Sequence, residues 1–327
     1  MIHQKYTQPV GGLTLQKKLQ ATISTVFYDG RVVPEHTKYE HFYRDTKDGS
    51  LYPSVTGALQ VLNKPHLKQW AVNRAIEHII NWASKIPIIT KVGLYEQLEI
   101  AKKAHTVKLE QASIWGTDGH DVVDMYVDRW ITQGKKPVES ILTLASADIS
   151  NEGKCAALGA EKFFNDYTLF PIVSEKKIIS KKHRIGGTLD SLWLIGEVYK
   201  DRKGDEFGVH EWLEKGDDHI RCRLCGREEK LSVIMIDLKT SNNIIDDAYA
   251  MQVSTYGYGI LSEMCKIKPK LHWILQLDKN KPKYTIGVID EPKKAFDAFL
   301  LAHALNQYRR SNPDAVRMLI TKQVIKL

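Results

Sequence analysis

The run Ile234-Met235-Ile236-Asp237-Leu238-Lys239-Thr240 constrains this chain more than any other stretch. Apolar, largely β-branched residues read as a buried strand, and the strand ends in a carboxylate, one spacer and an ammonium. Side chains alternate along a strand, so Asp237 and Lys239 share one face and Leu238 points to the other. Burying charge is costly unless it is paired. Such an ending is therefore either an ion pair that caps the strand or half of a charged site.

A second carboxylate stands on a neighbouring pattern. Glu175 to Ser180 alternates as a strand, Lys181-Lys182-His183-Arg184 makes a basic turn, and Ile185-Gly186-Gly187-Thr188-Leu189-Asp190 leads into an apolar run through Ile195. If these strands form a meander, Asp190 and Asp237 converge although 47 positions separate them (237 − 190). Paired carboxylates are hard ligands suited to Mg²⁺ or Mn²⁺, and the Leu238 backbone carbonyl between the charged side chains offers another oxygen. Lys239 would position a water, stabilise charge on a phosphoryl group, or act as a base. Lys and Arg exceed Asp and Glu by 47 − 39 = 8, a surplus that favours a polyanionic partner. Lys181, Lys182 and Arg184 are placed either for nucleic-acid phosphates or as a solvated hairpin tip.

Around this pair the chain reads as a single α/β unit without repeats. Thr22 to Tyr28 alternates like a strand, Ser54 or Thr56 caps a short helix, and Trp70 to Ile86 has a core-facing helical stripe stopped by Pro87. After helical character from Leu94 to Leu109, the spacing of Val123, Tyr126, Val127 and Trp130 marks a buried face on a helix beginning near Gly119. That start puts His120 in the first turn, as a core or capping residue or as a functional one. Ile141 to Tyr167 is mostly helical and carries Glu161 near its end. Asp246 to Leu261 forms a helix with Gln252 and Tyr256 on one face. A hairpin, Leu271–Leu277 with Lys283–Ile289, and a helix from Pro292 through Tyr308 follow. Met1 to Leu15 holds no apolar signal core, and no apolar run reaches membrane-spanning length. With four cysteines the expected setting is reducing and cytoplasmic, without a membrane partner.

Taken together, Gly186-Gly187-Thr188-Leu189-Asp190, Ile236-Asp237-Leu238-Lys239-Thr240 and Gln252-Val253-Ser254-Thr255-Tyr256 resemble the PD-(D/E)XK nuclease superfamily. The branch they are most similar to is that of RecB-like and phage-type exonucleases, which also carries an upstream G-x-x-x-H helix, matched by Gly116 to His120. The resemblance implies a restriction-endonuclease-like core, a mixed central sheet flanked by helices. It implies Asp190, Asp237 and His120 as metal ligands, Lys239 as the catalytic lysine, and Gln252 and Tyr256 as orienting residues. Leu189 stands where the superfamily's nominal proline would be, and Asp237 replaces the more frequent glutamate. Glu161 and Glu175 are both candidates for an additional acidic ligand. The implied organisation is an N-terminal elaboration over 1–110, a nuclease core over 111–327 and an insertion over 197–230.

That insertion spaces His210, His219, Cys222 and Cys225 as H-x8-H-x2-C-x2-C, with Gly226 after the last thiol. Two thiolates and two imidazoles suit tetrahedral Zn²⁺, and a charged insertion with few apolar residues has little other means of ordering itself. An iron–sulfur cluster recruiting Cys155 and Cys265 ranks below zinc. The expected activity is metal-dependent hydrolysis of DNA phosphodiesters, most simply as an exonuclease in phage, recombination, replication or repair processing. The implied products are 5′-phosphate and 3′-hydroxyl ends. A structure-specific endonuclease and a non-catalytic nucleic-acid-binding protein are the alternatives. Expected partners are DNA and a single-strand annealing or replication protein, in the cytoplasm or in a phage host's cytoplasm.

Overall fold

The structure is a computed structural model describing residues 5–7, 12–37, 41–62, 65–145, 148–200, 209–241 and 246–312. β1 (Lys5–Thr7) and α1 (Thr14–Val26) precede a small antiparallel sheet of β2 (Val32–His36), β3 (His41–Asp45) and β4 (Leu51–Pro53). Ser54 caps α2 (Val55–Ala58), its Oγ accepting from Gly57 N at 2.9 Å, which selects it over Thr56. Then come α3 (Pro65–Ala83), α4 (Lys91–Ala101), α5 (Ala104–Gln133) and α6 (Asn151–Asp166). β5 (Leu169–Ser180), β6 (Ile185–Lys200), β7 (Val209–Glu214), β8 (His219–Cys222) and β9 (Glu228–Lys239) follow. α7 (Asp247–Ser254) passes into a π-helix (Thr255–Leu261) and α8 (Ser262–Met264). β10 (Leu271–Leu277), β11 (Tyr284–Val288) and α9 (Pro292–Ser311) complete the order.

β9 is the hub of the eight-stranded mixed sheet. Antiparallel β6 runs along one edge of it, carrying β5 beyond; β8 and parallel β10 share the other edge. Its sequence suits that place because both faces are apolar. Ile234, Ile236 and Leu238 enter a core with Trp130, Phe163, Phe164 and Trp193 beneath α5 and α6. Met235 joins an opposite core with Val253, Tyr256 and Phe299 beneath α7 and α9. The strands expected around Asp190, the later hairpin and the last helix are all present. No helix among the described residues is long and apolar enough to cross a membrane.

Several local expectations give way to packing. Thr22 to Tyr28 is no strand: it lies mostly within α1, where Leu15, Leu19, Ile23 and Val26 form a helical row against the core and Gln16 Nε2 donates to the Pro171 carbonyl at 2.6 Å. The helix bearing His120 does not begin near Gly119 but runs unbroken from Ala104 to Gln133, across position 110, so His120 sits mid-helix. Its glycines serve close approach instead of a helix start. A Cβ on Gly119 would meet Ala156 Cβ at 3.0 Å, and one on Gly116 would meet Thr240 Oγ1 at 2.9 Å. The stripe on α3 is not core-facing, for Val72, Ile76 and Ile80 are each at least half exposed; α3 packs on α4 and α5 with its other side. The helix carrying Gln252 changes to π geometry at Thr255.

The 197–230 insertion carries regular structure on both sides of 201–208. β6 extends through Lys200, and β7 and β8 continue the sheet beside β9. Trp212, Ile220 and Cys222 are buried in the main core, so sheet pairing and burial contribute to ordering this segment.

Candidate active site

Register sets the site. Ser174 opposite Ser191 and Lys176 opposite Leu189 place Glu175 across from Asp190. Ser191 opposite Ile236, continued by one residue, places Asp237 on the other side of Asp190. Glu175, Asp190 and Asp237 thus fall in one row across β5, β6 and β9, although a φ of 45° at Glu175 lifts it from the regular ladder. Like charges directly opposite on a sheet destabilise it, so this row has a cost that the fold alone does not explain.

The two aspartates are held in place. Asp190 Oδ2 accepts from Leu238 N at 2.7 Å, and its carboxyl lies beside that of Asp237. Asp237, fully buried, lies 2.5 Å from Lys239 Nζ and accepts from Gln252 Nε2 at 3.2 Å. Gln252 lies beside the buried Tyr256, whose ring lies against Gly187. A methyl group at Gly187 would enter the space of that ring. Gly187→Ala should therefore displace Tyr256 and cost about 1–3 kcal/mol by overpacking. Calorimetry checks this, and an unchanged melting temperature would refute the contact.

From α5, His120 and Asp124 project one turn apart over the end of β9. The His120 ring lies beside the Leu238 backbone carbonyl, the oxygen expected to serve as a ligand. Ser174 Oγ donates to Asp124 Oδ1 at 3.1 Å and lies 3.4 Å from the Asp190 carbonyl. His120, Asp124 and Glu175 offer ligand atoms that all lie within 4.8 Å of one another. This trio differs from the expected set of His120, Asp190 and Asp237, because the two aspartates face Leu238 N, Lys239, Gln252 and each other.

The electrostatics follow from crowding. Burial pushes Asp237 up to about 7, against the pull of Lys239 and with the push of Asp190. Asp190 is likewise raised by burial. Burial and the Asp190 charge take Asp124 up to about 7. Desolvation within the cleft, then Asp190 and Asp124, push Glu175 up to about 8; one side of Glu175 is open to solvent, which screens it most. Burial would lower Lys239, but Asp237 and Asp190 outweigh it and hold the ammonium above its ordinary value. Burial and nearby Lys239 lower His120, favouring a neutral imidazole. Hard oxygens with a neutral imidazole fit a divalent cation such as Mg²⁺ or Mn²⁺.

Other expected residues fall elsewhere. Glu161 accepts from Ile141 N at 2.9 Å and Ser140 Oγ at 3.1 Å, tying down a turn, so Glu175 is the acidic candidate at the site. Lys181 is paired with Asp48 at 2.7 Å and Asp45 at 3.4 Å, while Lys182 and Arg184 are exposed. On the extended sheet, His219 Nδ1 contacts Asp218 Oδ1 at 2.7 Å, and Cys222 N and O bond across the turn to Arg227 and Gly226. The side chain of His210 lies outside the described residues. Among the described residues, His219, Cys222 and Cys225 are not drawn into a common ligand group. A cavity of about 620 Å³ between α3, α4 and α5, lined by Arg74, His78, Ile100 and Val107, holds none of the site residues.

Asp124 belongs to no recognised motif; its only sequence signal is its spacing of four from His120. No protein-family model matches the chain, and no curated protein matches it.

Proposed function

We propose that this chain is a metal-dependent deoxyribonuclease of PD-(D/E)XK type, with a restriction-endonuclease-like core. The observation that carries the reading is the row Glu175–Asp190–Asp237, crowded at one end of the sheet with Asp124, His120 and Lys239. A fold selected for stability alone would avoid opposing carboxylates; a site that binds a cation needs them. His120, Asp124, Glu175, Asp190, Asp237 and the Leu238 carbonyl are the candidate ligands. Bound Mg²⁺ or Mn²⁺ would polarise a phosphoryl oxygen and lower the pKa of water.

The chain's own groups divide the remaining work. Asp237 and Asp190 hold the Lys239 ammonium above its ordinary value, which suits it to stabilising the negative charge that develops on the attacked phosphate. Gln252 fixes Asp237, and Tyr256 packs the helix on the Gly187 backbone. Exposed Lys182 and Arg184 supply cations to the DNA backbone, whereas Lys181 braces the turn through Asp48.

The test is degradation of end-labelled single- and double-stranded DNA, with a closed circle alongside, in Mg²⁺ or Mn²⁺. Release from ends but not circles is the outcome expected of an exonuclease; nicking of circles would assign an endonuclease. DNA bound but left intact under every condition would make the chain a non-catalytic binder. We also propose structural zinc at His210, His219, Cys222 and Cys225. Elemental analysis of chelator-free protein should find about one zinc per chain, lost in Cys222→Ser with Cys225→Ser.

A further inference from the structure

Three residues of α7 and its π continuation, Tyr249, Gln252 and Tyr256, recur at spacings of three and four and so share a helix face. Gln252 and Tyr256 have been accounted for above. Tyr249, at the start of the row, belongs to none of the motifs, yet Lys239 Nζ lies 5.2 Å from its ring centroid. The Tyr249 hydroxyl reaches Ser241 Oγ at 3.4 Å, and the Ser241 carbonyl in turn accepts from Gln276 of β10 at 2.5 Å. The ring is therefore tied both to its helix and to the chain just beyond Lys239.

We propose that Tyr249 is a positioning residue for Lys239, holding the ammonium in place when Asp237 turns to a cation. The inference rests on the metal-dependent reading of the site. Asp237 is the ion-pair partner of Lys239 at 2.5 Å and is also a candidate metal ligand, and its oxygens cannot fully serve both. A second carboxylate beside the ammonium would itself compete for the ion. An aromatic face attracts the ammonium without offering an oxygen ligand, and it does so best where the cation is desolvated. The Lys239 side chain is only 18% exposed.

The test uses the full chain, with Mg²⁺ as the probe ion, and compares Tyr249→Phe with Tyr249→Leu. In lysine-labelled protein, the Lys239 Hε resonances should be displaced upfield by the ring current. They should stay displaced on addition of Mg²⁺ and in Tyr249→Phe, and return to ordinary positions in Tyr249→Leu. Tyr249→Leu should lower kcat for DNA by about tenfold or more with KM within about twofold, and Tyr249→Phe should recover kcat to within about threefold. Loss of the upfield shift when Mg²⁺ is added, or the same shift in Tyr249→Leu as in wild type, overturns the proposal. An unchanged kcat in Tyr249→Leu with active wild type also overturns it. Wild type that cleaves no DNA but retains the ring-current pattern would refute the nuclease reading while upholding the placement of Lys239.

Discussion

Asp190→Asn should abolish metal-dependent DNA cleavage and at the same time raise the melting temperature at pH 8. Asparagine keeps an oxygen to accept from Leu238 N, so the 2.7 Å tie between β6 and β9 survives. What it removes is the central charge of the row, which faces Glu175 on one side and Asp237 on the other. Lys239→Ala should also reduce kcat, by about 10²–10³-fold as for other lost transition-state donors. Its effect on stability has the opposite sign. Removing one partner of a buried pair leaves the other charge uncompensated, typically at about 3–5 kcal/mol. Here the stranded group is Asp237, which is fully buried. Two variants that both lose activity but move the melting temperature in opposite directions would mark this row as a site kept for function at the expense of stability. Full activity in Asp190→Asn, or a lower melting temperature, would count against that account.

A second large effect is expected from pH. Asp124 and Asp237 are raised from an ordinary carboxyl value of 3.8 to about 7, and Glu175 from 4.5 to about 8. A carboxyl whose pKa is higher folded than unfolded binds more protons in the native state across that interval. Its stabilising contribution is complete below the unfolded value and is lost as pH rises through the folded one. The cluster should therefore erode stability between roughly pH 4 and pH 8. Buried and half-buried histidines tilt the curve the other way: burial lowers His272 to about 4, and partial or full burial also depresses His41, His183 and His303. The decisive quantity is thus the difference between wild type and Asp124→Asn, measured in EDTA across that range. Wild type should lose stability relative to the variant as pH rises. Mg²⁺ should restore it at pH 8 and do little at pH 5, because an ion at 100 times its Kd stabilises the native state by about 2.7 kcal/mol only where the ligands are ionised. Parallel curves for the two proteins would show that Asp124 carries no excess proton.

Much of the sheet was legible because it is written in short range. The alternation of Glu175 to Ser180 and the Gly186-Gly187 entry to Asp190 each specify a strand from neighbouring residues, as do the apolar residues before Asp237. Misreadings arose where a distant contact decided the element. Thr22 to Tyr28 fits a period of two over seven residues, but the longer row from Leu15 to Val26 fits a helix, and burial against β5 selects it. Gly116 and Gly119 resemble a helix boundary locally; their purpose is seen only when Thr240 and Ala156 come against them. The strands of the 197–230 insertion were not legible because its apolar residues are few, and Trp212 and Ile220 find their place only where β7 and β8 extend the sheet beside β9.

The sequence by itself determined the strand from Ile234 to Lys239 and the shared face of Asp237 and Lys239. Those features depend on side-chain alternation and on apolar runs that have to be buried. The pairing of β6 with β9 that brings Asp190 alongside came from the sheet, in which β7 and β8 lie on the far side of β9. Tertiary structure alone decided which further groups join: Asp124 and Glu175 but not Glu161, and Tyr249 beside Lys239. Strand register and the distance at which a helix crosses a sheet depend on contacts between residues far apart in the chain, and these bring such groups together.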